Sequence, residues 1–282
     1  MFVRAVLSAP LSVDATSERP RPFLKWAGSK RQLMHALLPR VPARYARFFE
    51  PFAGGGALYF ALCPARAVLA DTNARLVRTY QGVRDDVESV IALLQSYPHD
   101  KAFFYQLRDV DIDARSDVEV AAWFIYLNKT GYNGLYRVNR SNRFNVPFGR
   151  HSNPAICDAA NLRACSLALA GAELRVADFE HAVRGAKRGD FVYFDPPYIP
   201  LSATSSFTSY TSNGFGPEDQ VRLRDLALRL KTRGISVLLS NSSAPLVREL
   251  YGKGFKVEEV PATRRVNSDA AKRGAIAEFI IK

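Results

Sequence analysis

A short apolar run, Phe191-Val192-Tyr193-Phe194, stops at Asp195-Pro196-Pro197-Tyr198, and this stretch constrains the chain more than any other. The run is brief and rich in β-formers, which predicts a buried strand. Two consecutive prolines have fixed φ and no N–H, so neither a ladder nor a helix runs on through them. The strand therefore delivers the Asp195 carboxylate to a sheet edge. Behind it, the proline carbonyls act as rigid acceptors and Tyr198 adds a flat π-face. Acceptors beside a π-face suit a planar heteroaromatic with an exocyclic amine, a description that adenine meets. A plain strand-ending turn uses the same residue types, so the neighbouring sequence has to decide.

The glycine loop upstream bears on that decision. Arg47 to Glu50 reads as a strand, and Pro51-Phe52-Ala53-Gly54-Gly55-Gly56-Ala57 as a tight loop opening a helix from Leu58 to Leu62. Glycines let the backbone turn sharply and let a ligand approach closely. Tyr59 stands where the third glycine of G-x-G-x-x-G would be, so the loop departs from the full dinucleotide fingerprint. The next strand, Ala67 to Ala70, ends in Asp71, an acid placed to accept the ribose hydroxyls of a nucleoside. Earlier still, Pro22 to Lys30 is a loop leading into a helix that ends near Leu38. Its Trp26 either anchors a core or stacks on a cofactor, and Lys30 suits an anionic group. After a strand from Glu173 to Val176, Asp178-Phe179 either meets the cofactor's adenine or caps a helix.

Between these parts the β-α alternation lapses. Helical patterns at Val87 to Gln95, Ala102 to Val110 and Val118 to Leu127 follow one another without a strand, which predicts an inserted, mostly helical subdomain. It ends in a segment from Asn128 to His151 that carries Lys129, Arg137, Arg140, Arg143 and Arg150, with no acid until Asp158. Four aromatics and several asparagines, Asn133 and Asn139 among them, are interleaved. Basic groups hold phosphates, Asn and Arg read base edges, and aromatics stack or wedge. Asn-Gly and Ser-Asn turn signals predict a β-hairpin. Downstream of the prolines come a Ser/Thr-rich loop (Ile199 to Gly216), a helix (Pro217 to Leu230), a strand (Ser236 to Leu239) and a helix (Leu246 to Leu250). Two closing strands, Phe255 to Val260 and Ala275 to Ile280, flank a second basic loop, Thr263 to Gly274.

Composition agrees with a nucleic-acid partner. The chain has 282 residues, 48% hydrophobic, enough to bury a full core, and a net charge of +12 that favours a polyanion. Cys63, Cys157 and Cys165 have neither the even count of a disulfide framework nor zinc-site spacing, so a reducing cytoplasm is expected and no metal. Residues 1–20 read as a loose tail without a signal peptide, and no stretch predicts a membrane span.

Taken in order, these motifs resemble the Dam-type DNA adenine-N6 methyltransferases, the D12 class, from about Pro22 to the C-terminus. The resemblance implies a Rossmann-like α/β fold with a mostly parallel seven-stranded sheet, binding S-adenosylmethionine and double-stranded DNA. It implies a catalytic domain of residues 21–82 and 165–282 and an inserted target-recognition subdomain of residues 83–164. The motif Phe23 to Lys30 would place Trp26 and Lys30 at the cofactor. Phe52, Gly54 and Gly56 would cradle its methionine part, Asp71 its ribose, and Asp178 and Phe179 its adenine. Asp195, Pro196, Pro197 and Tyr198 match the catalytic motif, with Asp195 also bordering the cofactor. Tyr132 to Arg137 and Asn145 to Arg150 are similar to the DNA-penetrating hairpin, with Tyr132 as wedge and Leu135, Arg137 and Pro147 at base edges. Lys129, Asn133, Asn139 and Arg150 complete the expected DNA contacts.

Two positions depart from the family pattern. Ser29 stands where a second glycine is usual, and His151 where several members have Tyr. The second bears on the base preference at one end of the site, for which GATC is the expectation. The remaining readings are a cytosine N4, an RNA adenine or a protein glutamine as methyl acceptor, and a non-catalytic DNA-binding module on a vestigial fold. A cognate restriction endonuclease is a partner that the resemblance raises, beside roles in replication and repair or in a phage.

Overall fold

The computed structural model describes residues 18–198, 215–263 and 275–282. The expected tail up to residue 17, most of the Ser/Thr-rich loop (199–214) and the second basic loop (264–274) lie outside the described residues.

Seven strands form one sheet: β1 Phe48–Glu50, β2 Ala67–Asp71, β3 Ala172–Val176, β4 Phe191–Phe194, β5 Ser236–Ser242, β6 Val257–Thr263 and β7 Ala275–Ile281. The order is β3-β2-β1-β4-β5-β7-β6, parallel except at β7, which runs antiparallel to both neighbours. This is the Rossmann-like, mostly parallel sheet expected from the motifs. Side chains alternate between its faces, as the pleat requires. Phe48, Leu69, Phe191, Tyr193 and Leu238 enter one hydrophobic cluster, whereas Phe49, Val68, Val192, Phe194 and Leu239 enter another. Both faces are thus covered, which is why the central strands read as unbroken apolar runs.

The helices among the described residues are α1 Met34–Leu37, α2 Ala57–Leu62, α3 Ala74–Asp85, α4 Val87–Ser96, α5 Lys101–Arg108, α6 Asp117–Thr130, α7 Ala159–Leu169, α8 Phe179–Ala182, α9 Pro217–Thr232 and α10 Pro245–Tyr251. Asn73, Asp86, Asp100, Ser116, Asp158 and Asp178 each cap a following helix by accepting a backbone N–H. Ser116 and Glu119 form a full capping box at α6, whose residues from Val120 to Asn128 are all buried.

Four elements differ from expectation. The helix ending near Leu38 is broken into a 3-10 turn at Lys30–Leu33, the single turn α1 and a second 3-10 turn at Leu38–Arg40. Ser29 provides no side-chain cap, and Pro39 sits in the second turn. Helix α3 went unread because its apolar residues are diluted by arginines; Leu76, Val77, Tyr80 and Val83 nonetheless make one buried stripe. Strand β5 continues past Leu239 through Ser240, Asn241 and Ser242, all buried and paired with β7. The expected hairpin is a loop closed by two isolated antiparallel bridges, Gly131 with Phe148 and Val138 with Phe144. Between them lies a 3-10 turn at Tyr132–Gly134, with Asn133 at φ 54°.

Helices α3 and α6 approach so closely that a Cβ on Gly82 would lie 2.4 Å from the Asp117 carbonyl oxygen and 2.9 Å from the Ala121 Cβ. A Gly82→Ala variant gains up to about 1 kcal/mol of helix propensity but overpacks this crossing, a penalty of about 1–3 kcal/mol. A net loss of stability is expected, read as a lower urea midpoint, and Gly82→Leu should lose more.

Candidate active site

The sheet order reverses between β1 and β4, so the carboxyl ends of these strands open a crevice, the usual ligand position in open α/β sheets. Glu50 ends β1 and Asp195 follows β4, and both carboxyls lie at this switch point. Burial, and then the charge of Asp195, pushes the Glu50 carboxyl well above the usual carboxylate range. Its Oε2 is buried without a hydrogen-bond partner among the described residues.

Asp195 is more completely furnished. Lys30 Nζ lies 2.8 Å from Asp195 Oδ1, and the Ser240 hydroxyl donates to the same oxygen at 2.8 Å. Burial raises the Asp195 pKa, while the ammonium and the hydroxyl pull it back. Lys30 is 5% exposed, donates to the Gly28 carbonyl at 2.6 Å and lies 4.4 Å from the Tyr198 ring centroid. The anion that Lys30 meets in the structure is therefore Asp195. Pro196 is buried, and the Pro197 carbonyl accepts from Gln220 Nε2 at 3.0 Å. Tyr198 is held at its far end, its hydroxyl donating to Glu278 at 2.5 Å.

The glycine loop is clamped from three sides. Asp71 accepts the Gly54 N–H at 3.1 Å and the Asn73 N–H at 2.9 Å, and the Tyr80 hydroxyl donates to the Gly54 carbonyl at 2.9 Å. Gly54 and Gly56 have φ of 47° and 64°, values that L side chains avoid. Trp26 closes the third side, for a Cβ on Gly54 would fall 2.7 Å from its ring. Trp26 also stacks 6.2 Å from Phe124 and 6.1 Å from Tyr136, which stack on each other at 4.7 Å. Trp26 is thus packed between the glycine loop and the aromatic stack of α6 and the basic segment.

Beyond the loop, Phe52 stacks on Phe179 at 5.6 Å, and Phe215 meets both rings edge-on. Asp178 caps α8 through the His181 N–H at 2.8 Å and bonds the His181 ring at 2.7 Å. The cap was one of its two readings, and in this state the carboxylate is turned to its own helix.

The basic segment projects from the end of α6. Tyr136, Phe144 and Val146 are buried and anchor it, while Tyr132, Asn133, Arg137, Arg140, Arg143, Pro147 and Arg150 are exposed. Tyr132, 47% exposed, is a large aromatic displayed to solvent. Leu135 is half-buried. Arg137 is preset by a 2.7 Å hydrogen bond to Asn145, and the Asn139 side chain accepts the Ser141 and Arg143 N–H groups, shaping the turn. Lys25, Lys129, Arg150 and His151 line a shared cleft. Burial, then the charges of Lys25 and Arg31, lowers the Lys129 pKa.

Four residues here escaped the sequence reading. Glu50 was read as a strand end and as the first residue of the run similar to the family's methionine-cradling loop, with no role of its own, although an acid next to Pro51 is a usable signal. Ser240 and Glu278 lie on strands far along the chain from Asp195 and Tyr198. Asn128, 2% exposed, accepts the Lys25 N–H at 2.8 Å and donates to the carbonyls of Lys25 at 2.8 Å and Gly134 at 2.7 Å. No sequence spacing announces that contact.

A profile of the D12 class N6 adenine-specific DNA methyltransferases matches residues 26–266. The chain belongs to this family. It is also 48% identical over 269 residues to the Type II methyltransferase M1.LlaDCHI of Lactococcus lactis subsp. cremoris, covering 93% of this chain and 94% of the relative. Identity to the Type II methyltransferase M.MjaIII of Methanocaldococcus jannaschii is 39%, over 93% and 98% of the two chains. To the DNA adenine methylase of Escherichia coli K12 it is 33%, over 93% and 95%. The D12 resemblance of the motifs is thus established, and with it an enzyme of DNA adenine-N6 methylation that uses a methyl donor. Among the described residues no helix is long and apolar enough to cross a membrane.

Because Gly54 sits at positive φ against Trp26, a Gly54→Ala variant should distort the loop without unfolding the sheet. Methyl transfer is expected to fall by at least about tenfold, as misplacement by a fraction of an ångström allows, with an unchanged far-ultraviolet circular dichroism spectrum.

Proposed function

We propose that this D12 enzyme takes S-adenosylmethionine as its methyl donor and methylates N6 of an adenine flipped out of one short duplex sequence, with GATC expected. The observation that carries the reading is the furnished Asp195 carboxylate beside Tyr198 at the switch point.

The crevice fits the donor. Glu50 Oε2 is a buried acceptor in want of a donor, and a cationic group such as an α-ammonium would restore its ionisation. Gly54 and Gly56, at positive φ and packed against Trp26, Tyr80 and Phe60, hold the loop in a tight turn, and Asp71, already holding the loop, keeps acceptor capacity for ribose hydroxyls. Phe179 and Asp178 would border the adenine of the donor, Phe52 with the glycine loop its methionine part, and Trp26 would line the cofactor while keeping the loop in place. S-Adenosylmethionine, when bound, supplies an electrophilic methyl group on sulfur.

The chain's own residues do the rest. An adenine amine is a poor nucleophile because its lone pair is delocalised into the ring. Hydrogen bonds from N6 to Asp195 and to the Pro196 carbonyl oppose that delocalisation as the bond forms. Pro197 fixes the backbone, and stacking on Tyr198 offsets part of the few kcal/mol that flipping costs. Lys30 keeps Asp195 an acceptor by stabilising its charge.

DNA would lie against the basic segment. Tyr132 is exposed at the turn after α6 with Asn133 beside it, and would act as the wedge. Leu135, Arg137 and Pro147 would face base edges, and Lys129, Arg150 and the Asn139 turn would meet phosphates. His151, whose Nε2 is buried without a partner among the described residues, adjoins that cleft and bears on the base read there. The two domains expected from the motifs would then act as catalytic body and reader. The names of two relatives, Type II methyltransferases, support a paired restriction endonuclease, and all of this suits work on DNA inside a cell.

The test is transfer of labelled methyl from S-adenosylmethionine to unmethylated duplex DNA, followed by mapping. N6-Methyladenine confined to one short sequence is expected. Asp195→Ala should abolish turnover, by at least about a thousandfold, and leave duplex affinity within about threefold; equal losses of binding and turnover would count against the assigned role.

A further inference from the structure

The carboxylate of Asp195 has two oxygens, and the structure treats them differently. Both the Lys30 ammonium and the Ser240 hydroxyl approach Oδ1, each at 2.8 Å. An ionised carboxylate has no proton to give, so Ser240 is the donor in its bond. A serine hydroxyl has a single proton, and that proton is committed to Asp195. The 2.9 Å contact between Ser240 Oγ and the Tyr193 hydroxyl must therefore run from tyrosine to serine. A directed chain results, Tyr193 to Ser240 to Asp195 Oδ1, with Tyr193 and Ser240 fully buried on adjacent strands β4 and β5.

We infer that Ser240, backed by Tyr193, is a positioning residue that saturates Asp195 Oδ1 together with Lys30 and so commits Oδ2 to the adenine amine. The inference rests on Asp195 being the acceptor for N6. A carboxylate with two equivalent free oxygens can rotate about χ2 and offer either, and each rotation moves the acceptor off the line to the methyl group. Two donors on one oxygen remove that freedom before substrate arrives, which is preorganisation in the sense that lowers a barrier. Neither residue touches the substrate; both act through the carboxylate. Strand pairing explains the register, because Phe194, one residue before Asp195, pairs with Leu239, one before Ser240.

The groups that face Asp195 are Lys30 from the 3-10 turn, Ser240 from β5, Glu50 from β1, Tyr193 from β4, and Tyr198 beside it, itself held by Glu278 of β7. Lys30 and Ser240 favour the charged form, whereas burial opposes it. Glu50 opposes it whenever it is ionised. Loss of the Ser240 hydroxyl removes one of the two groups that lower the Asp195 pKa. The acceptor then stays protonated to a higher pH, and the acid limb of the rate profile moves upward.

The experiment is the pH dependence of single-turnover methyl transfer to duplex DNA, with Ser240→Ala, Ser240→Thr, Tyr193→Phe and Asp195→Ala compared with the parent enzyme. For Ser240→Ala the acid limb should rise by about one pH unit, as loss of one hydrogen bond to a charged group allows. The plateau rate should fall by about tenfold, with KM for DNA and cofactor affinity within about twofold. Ser240→Thr, which keeps the hydroxyl, should restore the limb. Tyr193→Phe should shift it in the same direction by less, and this variant decides the matter if Ser240→Ala does not fold. An inactive Asp195→Ala with an unmoved limb in the folded serine or tyrosine variant overturns the inference and leaves the catalytic reading intact. An active Asp195→Ala overturns both.

Discussion

A largely buried carboxylate whose charge is supported by a buried ammonium is the constraint on which the rest of this structure turns. Lys30 and Asp195 are 2.8 Å apart, with side chains 6% and 19% exposed. Such a pair gives little net stability, because desolvating both charges offsets most of their attraction. It persists where other groups hold it, and here they come from several elements. The Gly28 carbonyl accepts a second bond from the ammonium, Ser240 gives a second donor to Asp195 Oδ1, and Glu278 steadies the Tyr198 ring over which the ammonium lies. The polarity that the core tolerates at this point is the polarity that the proposed chemistry requires.

Shared packing likewise joins the crevice at the switch point to the basic segment. Trp26 packs its ring against Gly54 and stacks on Phe124 of α6 and on Tyr136 of the segment itself. One hydrophobic cluster runs from Phe48 and Leu69 of the sheet through Tyr80 to Trp123, Tyr126 and Phe144. The glycine loop and the base of the basic segment therefore rest on the same aromatic stack, and a displacement of one loads the other.

Much of this was legible in the sequence where chemistry is local. The strand Phe191–Phe194, the glycine loop and the acid at Asp71 announce themselves through residue types that few other structures need in that order. The Asn128–His151 segment is legible through charge segregation. What stayed hidden is what depends on pairing between distant strands. Ser240-Asn241-Ser242 has the composition of a turn, and only its ladder with β7 makes it strand and buries it. Helix α3 was obscured by arginines, of which Arg75 and Arg78 are paired with Asp113 and Asp117 across to the α6 region. Lys30 was expected to meet an anion, and nothing in its spacing says that the anion is 165 residues away.

The Asn128 side chain spans two chain segments with one amide, holding the backbone of Lys25 on one side and the Gly134 carbonyl on the other. A Cβ on Gly134 would strike the Lys25 side chain at 2.4 Å, so the fit leaves no slack. The basic segment of this enzyme is consequently no detachable cassette. Grafting residues 131–150 onto another methyltransferase body would need Asn128 and the Lys25 loop to travel with it, so a transplant must move two separate pieces of sequence, 128–150 and the Lys25 loop, at once.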